Sequence, residues 1–137
     1  MQKIILDTNV VVSALIQKNY PYYILYDYVF GNKVRICLSD ELMQEYIDVL
    51  NRPKFSKYPD FLDKAQLVLT DLISRAKKYE PVLKLNIIND QSDNKLLELA
   101  DISKADFLIT GNTNDFTMSN YKNTIIITPR EYWELQI

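Results

Sequence analysis

The run Lys3-Ile4-Ile5-Leu6-Asp7-Thr8-Asn9-Val10 constrains the fold of this chain more than any other segment. A short apolar strand, 3–6, passes directly into an aspartate. An apolar helix follows near 8–17, built on Val10, Val11, Val12, Ala14 and Leu15. A carboxylate in an apolar setting is costly unless it is paired or binds a metal. In open α/β sheets, ligands bind just past the carboxyl ends of the strands. Asp7 is expected at such an end.

The rest of the chain repeats the alternation. A helix near 21–30 follows Tyr20-Pro21 and ends at Gly31-Asn32. Residues 34–38 read as a strand. Ser39 suits the N-cap of a helix at 40–51, with Asp40 and Glu41 in its first turn, where the helix dipole favours acids. A long amphipathic helix is predicted at 60–79 on Phe61, Leu62, Ala65, Leu69, Leu72 and Ile73, ended by Pro81. A partly alternating strand at 82–88, a helix near 92–103, a strand at 106–110 and a short helical turn near 114–118 come next. Strand 123–127 and a C-terminal helix, 129–136, complete the chain; Thr128 is its cap and Pro129 its first residue. Strands alternating with helices imply an α/β fold: a mostly parallel sheet of about five strands with helices on both faces. Residues 1–137 read as a single domain, without internal repeats.

Composition removes much chemistry. There is no histidine and one cysteine, Cys37. Ser-His-Asp and Cys-His catalysis are excluded, as are zinc sites built from Cys and His. Cys37 lies in a short apolar strand and reads as a buried, inert thiol. The net charge of −2 is not that of a basic nucleic-acid-binding domain. No apolar run approaches the ~20 residues that cross a bilayer, and the first residues read as a strand rather than a signal peptide. A cytoplasmic protein is expected.

Four acids stand out against this layout. Asp7 and Asp115 follow strands and should face one rim of the sheet. Asp93 opens the helix Asp93–Ala100 and starts the stripe of Leu96, Leu97 and Ala100. Glu45 lies at the edge of the apolar face of helix 40–51. Taken alone, Asp93 reads first as a dipole acid and Glu45 as a solvated helix edge. Together they suggest a carboxylate cluster. Such a cluster repels itself unless a cation intervenes. Magnesium and manganese take oxygen ligands and need no histidine.

These residues resemble the PIN domain family, and within it the VapC-type toxins of toxin–antitoxin systems, over essentially the whole chain. The resemblance rests on Leu6-Asp7-Thr8-Asn9-Val10 with Ser13-Ala14-Leu15, on Leu38–Leu42 through Glu45 to Phe55, and on Asp90 and Asp93 to Ala100. It continues through Ala105–Asn112, Asp115-Phe116 and Ile127–Glu131. It implies a PIN-like three-layer fold and a metal-dependent endoribonuclease hydrolysing RNA phosphodiesters with Mg²⁺ or Mn²⁺. It implies a cognate antitoxin and a homodimer, and no membrane partner. The acidic set carries over to Asp7, Glu45, Asp93 and Asp115. Asp7 and Asp93 are metal ligands, Glu45 holds the metal through water or orients the attacking water, and Asp115 completes the cluster. Thr8, Asn9, Thr110 and Asn112 match the polar residues that line the pocket. Asn112 stands where many relatives carry Asp, which favours a one-metal resting site. Asp90 reads as a loop or helix-cap acid.

Two other clusters carry alternatives. Tyr20, Tyr22, Tyr23, Tyr26 and Tyr28 interleave with Ile24, Leu25 and Val29 at helical spacing; they suit helix packing or a dimer interface, with Trp133, better than base stacking. Arg52, Lys54 and Lys57 form either a solvated loop or a phosphate grip. Three rival functions remain. A haloacid-dehalogenase-type phosphatase needs an acid two residues after its nucleophile, where this chain has Asn9. A phosphorylated receiver domain needs paired acids after its first strand, and Asp7 has no acidic neighbour. A catalytically inactive PIN-fold protein that binds RNA or a partner is the alternative that Asn112 favours.

Overall fold

The computed structural model describes residues 1–86, 91–113, 116 and 118–135. Its sheet has six strands: β1 (Gln2–Leu6), β2 (Val34–Leu38), β3 (Lys77–Lys78), β4 (Phe107–Ile109), β5 (Asn120–Tyr121) and β6 (Thr124–Ile127). Their order is β3-β2-β1-β4-β6-β5. All neighbours are parallel except β5 and β6, which form an antiparallel pair. β1 lies in the middle, and Ile4, Ile5 and Leu6 have almost no solvent exposure. Strands buried on both faces read as continuous apolar runs, as 3–6 does.

The helices are α1 (Thr8–Ile16), α2 (Tyr20–Tyr23, continued as π-helical turns over Ile24–Val29), α3 (Asp40–Leu50), α4 (Phe61–Arg75), α5 (Gln91–Ser103) and α6 (Pro129–Leu135). Parallel crossovers are right-handed. From β1 through β2 to β3 the chain moves one way across the sheet, which puts α1 to α4 on one face. It then passes to the other side of β1, which puts α5 on the opposite face. The packing agrees: α1 touches α3 and α4, α2 touches α6, and α5 lies on β1 and β2. This is the three-layer α/β arrangement expected from the sequence.

Local chemistry explains the helix ends. Ser39 Oγ accepts from the Leu42 amide at 3.1 Å. Thr128 and Glu131 form a reciprocal capping box, in which the Glu131 amide donates to Thr128 Oγ1 and the Thr128 amide to Glu131 Oε1, both at 3.1 Å. Gly31 follows the π-helical turns, and a Cβ there would sit 2.2 Å from the Asp27 carbonyl oxygen, a contact no side chain tolerates.

Three expectations differ. The predicted helix 60–79 stops at Arg75, because residues 77 and 78 leave it to extend the sheet beside Cys37 and Leu38. The Tyr79 amide then donates to the Leu38 carbonyl at 2.7 Å. The predicted strand 82–88 is absent over 82–86; the Leu85 amide donates to the buried Glu98 carboxylate at 2.8 Å instead of to a strand. Most of the helical turn predicted near 114–118 lies outside the described residues. Among the described residues no helix is long and apolar enough to cross a membrane.

Two buried tyrosines give a pH prediction. The Tyr46 hydroxyl donates to the Leu6 carbonyl, and the Tyr132 hydroxyl donates to Gln2 Oε1 at 2.7 Å. Burial pushes both phenols above their ordinary value of 10.0, with the charges of Asp7 and Glu45 adding to the effect at Tyr46 and those of Tyr28 and Asp106 at Tyr132. Below pH 10 both states keep the proton and stability is intact. Above it the unfolded chain releases protons that the folded chain retains. Stability therefore falls by up to about 1.4 kcal/mol per pH unit for each tyrosine, until the folded phenol itself ionises. Urea unfolding between pH 8 and 11 should show this slope, and Tyr46→Phe should remove one proton from it.

Candidate functional site

The strand order reverses between β1 and β4, since β2 continues from β1 on one side and β6 from β4 on the other. Ligands of open α/β sheets bind in the crevice at such a switch point. Asp7 follows β1 there, and Thr110 follows β4.

Asp7 holds the N-cap position of α1, with extended backbone, yet its carboxylate caps nothing. Its amide donates to the Ile109 carbonyl at 2.9 Å, which ties the end of β1 to β4. Its Oδ2 accepts from Thr110 Oγ1 at 2.8 Å. Thr110 is fully buried, and its oxygen also accepts from the Asn112 amide at 3.1 Å. Asp7 is only 8% exposed, so an acid that could have served the helix end in water is buried at the crevice instead.

Glu45 comes from the middle of α3. Leu42, Tyr46 and Leu50 form the buried stripe of that helix and set Glu45 on its flank, beside the crevice. Thr8 Oγ1 donates to Glu45 Oε2, and Lys95 Nζ lies 3.3 Å from Glu45 Oε1. Lys95 belongs to α5, two residues beyond Asp93, which is itself 8% exposed. The early turns of α5 thus meet α3 over the rim of the sheet, although the two helices lie on opposite faces.

Asn9 completes the rim. Its amide lies beside Gly111, where an added Cβ would be 3.8 Å from Asn9 Oδ1. That oxygen is buried and has no hydrogen-bond partner among the described residues. A buried acceptor left in this state calls for a water or an ion.

Asp7, Thr8, Asn9, Glu45 and Thr110 therefore share one end of the sheet, joined by contact or by chain adjacency; Asp93 is buried near the start of α5, two residues before Lys95. Asn112 takes part through its backbone amide, while its side chain is exposed. Asp115 and Asp90 lie outside the described residues. Among the described residues no three acidic or sulfur-bearing side chains converge tightly enough to cage an ion. The donors at the crevice are carboxylate, hydroxyl and amide oxygens, the set that suits a hard cation such as Mg²⁺ or Mn²⁺. Asp7 and Asp93, with the lone Asn9 oxygen, could hold one.

A family model described as PIN domain matches residues 3–114 of this chain. The chain belongs to the PIN domain family. Its PIN sequence is 31% identical to an uncharacterized protein, MJ1680, of Methanocaldococcus jannaschii, over 96% of this chain and 90% of that protein. The PIN fold extends to solved structures of low identity. PAE2754 from Pyrobaculum aerophilum superposes with a TM-score of 0.62 at 13% identity, covering 98% of this chain and 88% of that one. A chain from the crystal structure of VapBC2 from Rickettsia felis, bound to a DNA fragment from their promoter, gives 0.59 at 20% identity, covering 93% and 98%.

Two residues at this end of the sheet escape a reading of the sequence. Lys95 is one of several helix lysines, and nothing in its spacing points across to α3. Tyr46 did leave a signal: Leu42, Tyr46 and Leu50 recur every four residues, which marks a buried stripe. The basic loop divides. Arg52 lines an open groove along α3 with Glu45, Gln44, Asp48 and Lys95. Lys54 and Lys57 lie over the rings of Phe55 and Tyr58, at 5.2 and 5.3 Å. The tyrosines of α2 pack on one another and on α6, with Tyr22 and Tyr26 at 4.5 Å and Tyr28 stacked on Trp133 at 5.2 Å. Cys37 is buried and its thiol is pushed up by that burial.

Proposed function

We propose that this protein is a metal-dependent endoribonuclease that hydrolyses RNA phosphodiesters, and that it is the toxin of a toxin–antitoxin pair. The observation that carries the proposal is Asp7: a buried carboxylate at the switch point of a parallel sheet, held by Thr110 and withheld from capping its own helix. Membership of the PIN family supports a nuclease, and the oxygen-only donor set supports Mg²⁺ or Mn²⁺ as its ion.

In this reading Asp7 and Asp93 hold the ion, with Asp115 as a third acid. When bound, the ion supplies Lewis acidity toward the phosphoryl oxygens and the attacking water. Thr110 fixes the rotamer of Asp7. Thr8 and Lys95 fix Glu45, whose carboxylate orients the attacking water and takes up its proton. The new bond joins the water oxygen to phosphorus, and the bond to the 3′-oxygen breaks, that oxygen taking a proton from solvent as it leaves. The products carry a 5′-phosphate and a 3′-hydroxyl. The 2′-hydroxyl takes no part, so choice of RNA over DNA lies in the groove rather than the chemistry.

The proposed partners are RNA, a cognate antitoxin and a second copy of the chain, in the cytoplasm. The resemblance in fold to a chain of VapBC2 supports the antitoxin. A second reading, an inactive RNA- or partner-binding PIN protein, draws on Asn112, whose neutral side chain is exposed at the rim. Cleavage of structured and unstructured RNA separates the two. The nuclease cuts with Mg²⁺ or Mn²⁺ and stops in EDTA; binding without metal-dependent cleavage establishes the second reading instead.

A further inference from the structure

Three ion pairs join lysines to acids of α3, and one differs in kind. Lys78 with Asp40 and Lys84 with Glu41 are surface pairs, their lysine side chains 57% and 80% exposed. Exposed pairs of this sort contribute little. Lys95 and Glu45 are only 28% and 20% exposed, and Glu45 receives a second donor, the Thr8 hydroxyl, on its other oxygen. A partly desolvated charge is retained when it is paired and hydrogen-bonded. Both oxygens of Glu45 are thus engaged by the protein itself, one of them by a full positive charge.

Two-metal nucleases place their ions roughly 4 Å apart and need acids for each. Here an ammonium already stands 3.3 Å from a carboxylate oxygen of Glu45. We propose that Lys95 is a positioning residue that serves as the built-in second cation of this site: its ammonium occupies the place at Glu45 that a second divalent ion would fill, so the site takes a single divalent ion, at Asp7 and Asp93. The proposal rests on the nuclease reading for the ion itself. It gives Lys95 two effects. It neutralises Glu45 without an exchangeable metal, and it repels a second divalent ion by direct Coulomb force at short range.

Calorimetric titration with Mn²⁺, without RNA, tests this independently of turnover. The wild-type protein should bind one ion. Lys95→Gln should bind two, because Glu45 is released as a ligand; Lys95→Arg, which keeps the charge, should bind one. Lys95→Gln binding one ion with unchanged affinity overturns the proposal. Glu45→Gln gives a second test, which does not depend on the folding of the lysine variant. It should still bind one ion, with affinity lowered only by the uncovered Lys95 charge; a variant that binds none would identify Glu45 as a direct ligand and overturn the assignment. Failure of the nuclease reading looks different: a wild-type protein that binds no Mn²⁺ and cleaves no RNA removes both proposals together, whereas a wild-type protein that cleaves beside a Lys95→Gln variant that still binds one ion removes only this one.

Discussion

Replacing Asp7 by Asn should reduce metal-dependent RNA cleavage by at least about 100-fold while leaving the fold intact. The amide has nearly the carboxylate's shape, and its oxygen can still accept the Thr110 hydroxyl that Asp7 Oδ2 accepts at 2.8 Å. What disappears is the charge. A negative charge held at 8% exposure costs folding energy, and a bound cation offsets part of that cost. The melting temperature of Asp7→Asn without metal should therefore equal or exceed that of the wild type, the usual pattern when a functional group is held against stability. The rise in melting temperature that Mn²⁺ gives the wild type should vanish in the variant. Cleavage at the wild-type rate would remove Asp7 from the site; a variant that unfolds would make its role structural. Thr110→Val probes the same geometry from outside, since it keeps Asp7 charged but frees its rotamer, and it should lower cleavage by about tenfold.

The sheet was legible because burial on both faces leaves an unmistakable trace. Residues 3–6, 34–38, 106–110 and 123–127 are apolar runs between helical segments, and each proved to be a strand within a residue or so at either end. The edges were not legible. β3 is the dipeptide Lys77-Lys78, whose residues are exposed and whose backbone pairs with β2. Charged residues suit such an edge, but they equally suit the last turn of a solvated helix, so the apolar period of α4 carried the prediction past its true end. The segment 82–86 failed for the opposite reason. It alternates like a strand, yet its fixed point is the side chain of Glu98, thirteen residues away in sequence, which no local pattern discloses.

Within the site, legibility followed the backbone. Asp7 and Thr110 are picked out because strand ends are predictable and the sheet rule aligns them. Glu45 and Asp93 are picked out from helix faces, which fix direction but not distance. The connections between elements were invisible: Thr8 to Glu45, Lys95 to Glu45, and Tyr46 to Leu6 each join separate elements through side chains. The contacts of Thr8 and Lys95 engage both oxygens of Glu45, and they come from tertiary packing alone.

Tyr46 should show the largest stability effect of any single residue at the site. It is fully buried on α3, and its hydroxyl donates to the carbonyl of Leu6, the last residue of β1 before Asp7. Tyr46→Ala removes a large aromatic from the core beneath the crevice and should cost about 3–5 kcal/mol. That is a large share of the roughly 5–15 kcal/mol that holds a domain together, and urea unfolding should show it directly. Tyr46→Phe separates packing from bonding. The ring stays, the Leu6 carbonyl loses its donor, and the cost should fall to about 1–2 kcal/mol. If the hydroxyl also fixes the strand end that presents Asp7, Tyr46→Phe should weaken Mn²⁺ binding, although the tyrosine touches no ion. A Phe variant as stable as the wild type, with the same loss of stability above pH 10 and the same Mn²⁺ affinity, would mean that β1 needs only the ring beneath it to aim Asp7 into the crevice.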